Sequence, residues 1–450
     1  MSFPRYPEYR DSGVEWLGEV PEHWEVKRLR HLVECLDGKR VPLNSAERAD
    51  RPGDVPYWGA NAIMGYVDQP LFDEELVLLG EDGAPFFDPF RPVAFRSLGP
   101  VWPNNHIHVL RPNQTTFTKF IVYCLNVTDY ANFIDGSTRD KLTQAGMNSI
   151  RLPWPSRDEA LLIATFLDRE TAKIDALVAE QEKLIALLQE KRQAVISHAV
   201  TKGLDPNVPM KDSGVEWLGE VPGHWEVKQL RHIAKIVRGA SPRPAGDPKF
   251  FTSEPVIGQT TPWVTVAEIT KDAEIYLRDV KEYLTVLGAE SSQFFPSGTL
   301  VFTNSGATLG VPKVLAIDCC ANDGVLAFRD LSASIDILFA YHFLSTTTDR
   351  LRTEMKQGGG QPNLNTDIVK NIGIALPPRD EQDAIVGYLA CENTKFDVLV
   401  TEARTAITLL QERRTALISA AVTGQIDVRG LAGGDNAPDS VAASAYPASV

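Results

Sequence analysis

The residues of this chain that could do chemistry sit in short, glycine-punctuated segments, and their types suit nucleic-acid contact better than catalysis. DGSTRDKL (135–142) follows Gly136 with Thr138, Arg139 and Lys141, two cations and a hydroxyl on a loop able to approach phosphate or base edges. GGGQPNL (358–364), 222 residues on, carries Gln361 and Asn363, whose amides can pair with a base edge. PYWGANAIMG (56–65) places Tyr57, Trp58 and Asn61 among glycines; TTPWVT (260–265) offers Thr261 and Trp263; TNSGATLG (303–310) offers Asn304, with Lys313 just beyond. Each has a plainer alternative: a turn before a strand, or a tryptophan buried in a core.

Catalytic patterns are missing. SGATLGVPK has glycines but lacks the GK[ST] ending that holds phosphate and metal. No NPPY-like motif of the adenine methyltransferases is present. Glu180-Gln181-Glu182-Lys183 imitates a nuclease E-x-K, but it falls on a heptad helix, where a solvated charged face is expected. His106 and His108 alternate on an expected strand with no carboxylate pattern nearby, so no metal role is assigned. The five cysteines (Cys35, Cys124, Cys319, Cys320, Cys391) are scattered, without ligand spacing, and read as reduced thiols.

With 45 basic and 59 acidic residues the chain carries a formal charge of −14, awkward for a protein that would neutralise phosphates. Any DNA contact must therefore come from a local basic face, with basic partners adding to it. No stretch approaches the roughly 20 apolar residues of a membrane span, and MSFPRYPEYRDSG lacks the apolar core of a signal peptide. A cytoplasmic protein with no membrane partner is the expectation.

Two internal repeats organise these segments. DSGVEWLGEVPEHWEVKRLRHL (11–32) returns at 212–233 with 19 of 22 residues identical, an offset of 201. Residues 157–201 return at 379–423 with 23 of 45 identical, an offset of 222. The stretches between barely resemble each other, so two dissimilar readers are mounted on one duplicated frame. They read as mixed modules of short strands, among them 92–98, 106–110, 299–302, 311–317 and 324–328.

The second repeat is helical. Ser156 stands three residues before Glu159, a capping-box spacing. Heptads counted from Ile163 run through Ile174, Leu177, Leu184, Leu188 and Val195, and in the second copy through Phe396, Leu399, Leu410 and Leu417. That describes a coiled-coil seam, or more simply an αα-hairpin closing a core. As a spacer, the 32 residues 170–201 would measure ~48 Å, about 14 base pairs of B-DNA.

The leader, the phrases LPWPSRDE and LPPRDEQ that open the helices, and TKGLDPNVPMKDSGVEWLGEVPGHW at the junction resemble the specificity subunit of type I restriction-modification enzymes. The resemblance covers about 9–428. It implies an α/β (α+β) chain of two target recognition domains, 1–156 and 204–378, each reading half of a bipartite asymmetric DNA site. The helices 157–203 and 379–428 would form an antiparallel coiled coil fixing the gap between half-sites. Residues 429–450, small and polar, fall outside it and read as a disordered tail. Also implied as partners are double-stranded DNA, two modification (methyltransferase) subunits that bind S-adenosylmethionine, and two restriction subunits that bind ATP and magnesium. This chain would bind no cofactor and catalyse nothing. The alternative is a coiled-coil scaffold, or a decayed relative, with no defined DNA target.

Overall fold

A computed structural model describes residues 3–135, 139–306, 308–353 and 364–431. The tail beyond Leu431 therefore lies outside the described residues. The chain divides into two compact units that do not follow its linear order. The first joins residues 1–183 to 403–450; the second is 184–402.

Each unit holds a leader that pairs its strands in the same way, 19 of its 22 residues being the same in both. In the first, Tyr9–Asp11 pairs with Glu19–Pro21 and Glu25–Arg28 pairs with Arg151–Trp154. In the second, Met210–Asp212 pairs with Glu220–Pro222 and Glu226–Gln229 with Gly373–Leu376. Trp24 and Trp225 are buried at equivalent places. Leader and long helix are tied by one carboxylate in each unit. Glu159 accepts from the Tyr6 hydroxyl (2.7 Å) and faces His23 Nε2 (3.0 Å). Glu381 faces His224 Nε2 (2.8 Å) and accepts from Trp225 Nε1 (3.1 Å). Tyr6 takes the oxygen that Trp225 uses in the second unit, and Trp24 Nε1 is left without a partner among the described residues. The leader thus fastens a module to the first turn of a helix. The Ser156 cap is also made, its hydroxyl accepting from Glu159 N at 3.3 Å.

Beyond the leader, each module stacks two small sheets. In the first unit one sheet runs Val33–Cys35, Ile107–Pro112, Leu76–Gly80, Ala94–Ser97, and the other Ile63–Val67, Val55–Trp58, Pro100–Pro103, Phe72–Asp73. Leu76–Gly80 is buried throughout, since helix Thr118–Val127 covers one face and the second sheet the other. A strand covered twice reads as an unbroken apolar run rather than an alternation. The second unit repeats the order: Lys235–Arg238, Val325–Arg329, Leu300–Thr303, Pro312–Leu315, and then Glu282–Thr285, Thr260–Val264, Cys319–Ala321, Gln293–Phe295. One edge strand is added to each of its sheets, Tyr276–Leu277 and Phe251–Thr252. Sequences without visible similarity have folded to one topology.

The long helices are Arg157–Lys202 and Arg379–Val422. In the first unit the beginning of one and the end of the other share a core containing Ile163, Leu167, Ile174, Leu410 and Leu417. In the second unit Ile196, Ala199 and Val200 share one with Ile385 and Leu389. The two helices therefore run antiparallel within each unit. The heptad expectation needs a correction. Leu177, Leu184 and Leu399 are 44%, 42% and 44% exposed. Ile174 and Phe396 are buried, but the stripe then passes through half-buried Val178, Ile185, Leu188 and Val195, and through Val400, Leu410 and Leu417. Two successive steps of four residues shift the stripe at Ile174 and Phe396. The cause is a change of partner: the first turns pack on the module's own core and later turns on the other helix. No helix among the described residues is long and apolar enough to cross a membrane.

Candidate nucleic-acid interface

In the first unit four chain segments meet at the ends of Leu76–Gly80 and Ile107–Pro112. The turn 58–62 closes through Gly59 N to Ala62 O (2.8 Å) and lies across Gly80, where a Cβ would sit 3.0 Å from Ala60 O. Asn104 N donates to Trp58 O (2.9 Å), and Asn104 Oδ1 accepts from His106 N (2.7 Å). Glu81 N donates to His106 O (2.9 Å), Leu142 N to Glu81 O (2.8 Å), and Gly83 N to Asp140 O (2.9 Å). Backbone bonds alone therefore gather Asn61, Asp82, His106, Arg139 and Lys141.

Charge on this cluster is layered. Outermost, Arg139 Nε is 3.0 Å from Asp82 Oδ1, and His106 Nδ1 is 3.0 Å from Asp82 Oδ2. Lys141 Nζ is 3.6 Å from Glu81 Oε1. Beneath, Arg40 donates to Glu81 (2.5 Å) and to Ile107 O (2.8 Å). Buried His108 has Nδ1 2.6 Å from Asp37 Oδ2 and donates from Nε2 to Leu142 O (2.9 Å). Burial works to raise the Asp37 carboxyl. The His108 bond and charge, the Val109 N–H and Arg40 together outweigh it and hold Asp37 below the usual carboxylate range. Asp37, Glu81 and His108 could present three donors to a metal. The Arg40 guanidinium, bonded to Glu81 and 3.6 Å from Asp37, already supplies the cation there.

The second unit builds the same frame from other residues. Asn304 N donates to Gly324 O (2.9 Å), Leu364 N to Asn304 O (2.7 Å), and Asn322 N to Val264 O (3.0 Å). Asn322 Oδ1 accepts from Gly324 N (3.2 Å), as Asn104 does from His106. Asn304, Ser305, Gly306 and Gly324 thus stand where the first unit has Glu81, Asp82, Gly83 and His106. Gly83 and Gly306 share the left-handed turn, with φ of +72° and +79°. Nearby, Asp323 accepts from the Ser241 hydroxyl (2.7 Å) and faces Arg243 (3.4 Å); the hydroxyl bond, then Arg238 and Arg243, hold its carboxyl low against burial.

The residues singled out in the sequence divide accordingly. Arg139 and Lys141 are exposed, Asn61 and Thr261 half-exposed, and Trp58 packs on Phe95 with ring centres 4.8 Å apart. Thr138, Gln361 and Asn363 lie outside the described residues. Four expectations are corrected to core positions. Tyr57 is buried, its hydroxyl bonded to Leu43. Trp263 packs edge-on to Phe251. Lys313 is 1% exposed, with its ammonium on the Asp272 carboxylate and carbonyl. Asn304 is buried with Oδ1 unpaired among the described residues. The two histidines expected to lack carboxylates each have one, brought from 24 and 71 residues away. Asp82, Glu81 and Arg40 were missed; the EDG turn following the apolar run LVLLG was the available signal.

A family model described as the type I restriction modification DNA specificity domain matches residues 21–186 and 222–391. The chain belongs to this family. Its two matched specificity domains begin 201 residues apart, at the leader's own offset. Relatives include a putative type I restriction enzyme specificity subunit from Haemophilus influenzae, 24% identical over 89% of this chain and 92% of that one. The type I restriction enzyme EcoDI specificity subunit of Escherichia coli is 20% identical, covering 91% and 90%. A chain from a solved structure concerned with complex assembly and conformational transition of the type I R-M system superimposes with a TM-score of 0.63. It is 14% identical, and the match covers 90% of this chain and 98% of that one. The protein is thus a specificity subunit of a type I restriction-modification system, contributing DNA specificity rather than catalysis.

Proposed function

We propose that each unit reads one half of a bipartite, asymmetric double-stranded DNA site, through modules within 1–156 and 204–378. The observation that carries this reading is the shared backbone frame with unlike chemistry at equivalent positions. Where the first unit carries a carboxylate and an imidazole (Asp82, His106), the second carries a hydroxyl and a glycine (Ser305, Gly324). A common frame holds a common duplex backbone, while different side chains select different bases. The helices 157–203 and 379–428 set the unspecified gap between half-sites.

The near-identical leaders offer equivalent faces to two modification subunits, which bind S-adenosylmethionine and methylate an adenine in each half-site. Two restriction subunits, using ATP and magnesium, complete the complex in the cytoplasm. Surplus acidity in this chain is offset by those partners around the DNA.

The test is methylation mapping of source-cell DNA with and without the gene, and after replacing 33–150 by the corresponding segment of another relative. One half of the methylated motif should change and the other persist. An unchanged motif would instead support a scaffold.

A further inference from the structure

We propose that Arg139, braced by Asp82 and His106, is the guanine-reading side chain of the first unit; this rests on the half-site reading above and adds the base. Arg139 is 61% exposed, and its guanidinium makes an ion contact on the Nε side. Nε faces Asp82 Oδ1 at 3.0 Å, and the other carboxylate oxygen is held by His106 Nδ1 at 3.0 Å. The guanidinium crosses Gly83, where a Cβ would come within 2.7 Å of Nε. With φ of +72°, position 83 favours glycine for its backbone as well. Among the described residues no acceptor is bonded to the terminal amino groups of Arg139. With the carboxylate on its Nε side, the guanidinium keeps its terminal amino groups for a flat acceptor pair, and guanine O6 and N7 form such a pair in the major groove.

Phosphate is the poorer match. The Asp82 carboxylate offsets the cation that would attract a phosphate and would itself repel one, whereas a neutral base edge is indifferent to net charge. Lys141 differs: its ammonium stands 3.6 Å from Glu81 with three rotatable donors, the form that suits a phosphate oxygen. The second unit cannot repeat the device, because Ser305 and Gly324 replace Asp82 and His106. Guanine selection by this means is therefore confined to one half-site.

The experiment is selection of a random-sequence duplex library by the full chain assembled with its modification subunits, and by the same complex carrying Arg139→Ala, Arg139→Lys or Asp82→Asn, with melting curves as the folding control. Positions belonging to the first unit are those that change when 33–150 is replaced. The wild type should enrich a motif with guanine at one such position. Both Arg139 variants should lose about ten- to a hundredfold discrimination there, with every other position kept. Asp82→Asn should weaken the same position alone. If Arg139→Ala lowers affinity equally for all sequences, Arg139 is a phosphate contact and the proposal falls. It falls too if that variant changes nothing, or if the first half-site holds no guanine on either strand. A wild type that enriches no motif removes the half-site reading together with this one.

Discussion

Arg414 Nε lies 2.9 Å from Asp175 Oδ1 in the first unit, and in the second Arg192 pairs with Asp397 at 2.5 Å. The residues correspond through the 222-residue offset, so each unit builds the same bridge between the start of one long helix and the end of the other. Arg192 also lies over the Phe396 ring, 5.6 Å from its centre. The pair fixes the antiparallel register more than it stabilises it, since the carboxylates are 55% and 67% exposed.

Reversing one charge should therefore have a small, rescuable effect. Arg414→Asp should cost about 1 kcal/mol in urea unfolding, and adding Asp175→Arg should recover most of it. A double variant no better than the single one would show that the bridge does not form in solution.

The seam can be tested at two leucines of equal size. Leu417 is 9% exposed and Leu399 is 44% exposed. Truncating Leu417 to alanine should cost roughly 2–4 kcal/mol, and truncating Leu399 about 0.5 kcal/mol. Equal losses would restore the uninterrupted heptad count.

His342 supplies a pH dependence. Burial within helix Ile337–Ser345 pulls its imidazole down to about 4, and Nδ1 has no partner among the described residues. The unfolded chain takes up this proton near pH 6.5, while the folded one resists until about 4. Stability is thus full above 6.5 and falls by roughly 3 kcal/mol as pH drops to 4. His342→Leu should flatten that limb of a stability-against-pH curve. An identical slope in the variant would exclude His342 as its source.

Lys313 should matter for folding and not for DNA. Lys313→Ala strands the Asp272 carboxylate, which is partly solvated, and should cost roughly 2–3 kcal/mol. Below its melting point the variant should keep the wild-type salt slope for DNA binding, whereas Lys141→Ala should reduce that slope by about one. A lowered slope for Lys313→Ala would return it to the DNA surface.

How much of this could be read in advance follows from the range of the interactions. The duplication was plain from comparing the two halves, while the helices, the Ser156 cap and five of the strands rest on neighbours within a few residues and were legible. The seam was lost at Ile174 because a helix that changes partners changes its buried stripe, and periodicity alone does not report the partner. Tyr57 and Asn304 looked like loop residues because glycines lie within two residues of them, and Trp263 because a proline precedes it, yet all three are buried. Lys313 was misplaced because nothing in its local sequence announces Asp272, 41 residues away. Asp82 and His106 became a pair only once two strand ends were laid side by side.

The division of the chain into units bears on its synthesis. The second unit is continuous, 184–402, and has all its parts as soon as it leaves the ribosome. The first must wait for residues 403 onward, some 219 codons after its own helix has emerged. At 5–20 residues per second that is a delay of about 10–45 s. Throughout it Ile174 and Val178 lack Leu410 and Leu417, leaving a nascent greasy strip that invites chaperones or a neighbouring polysome product to cover it.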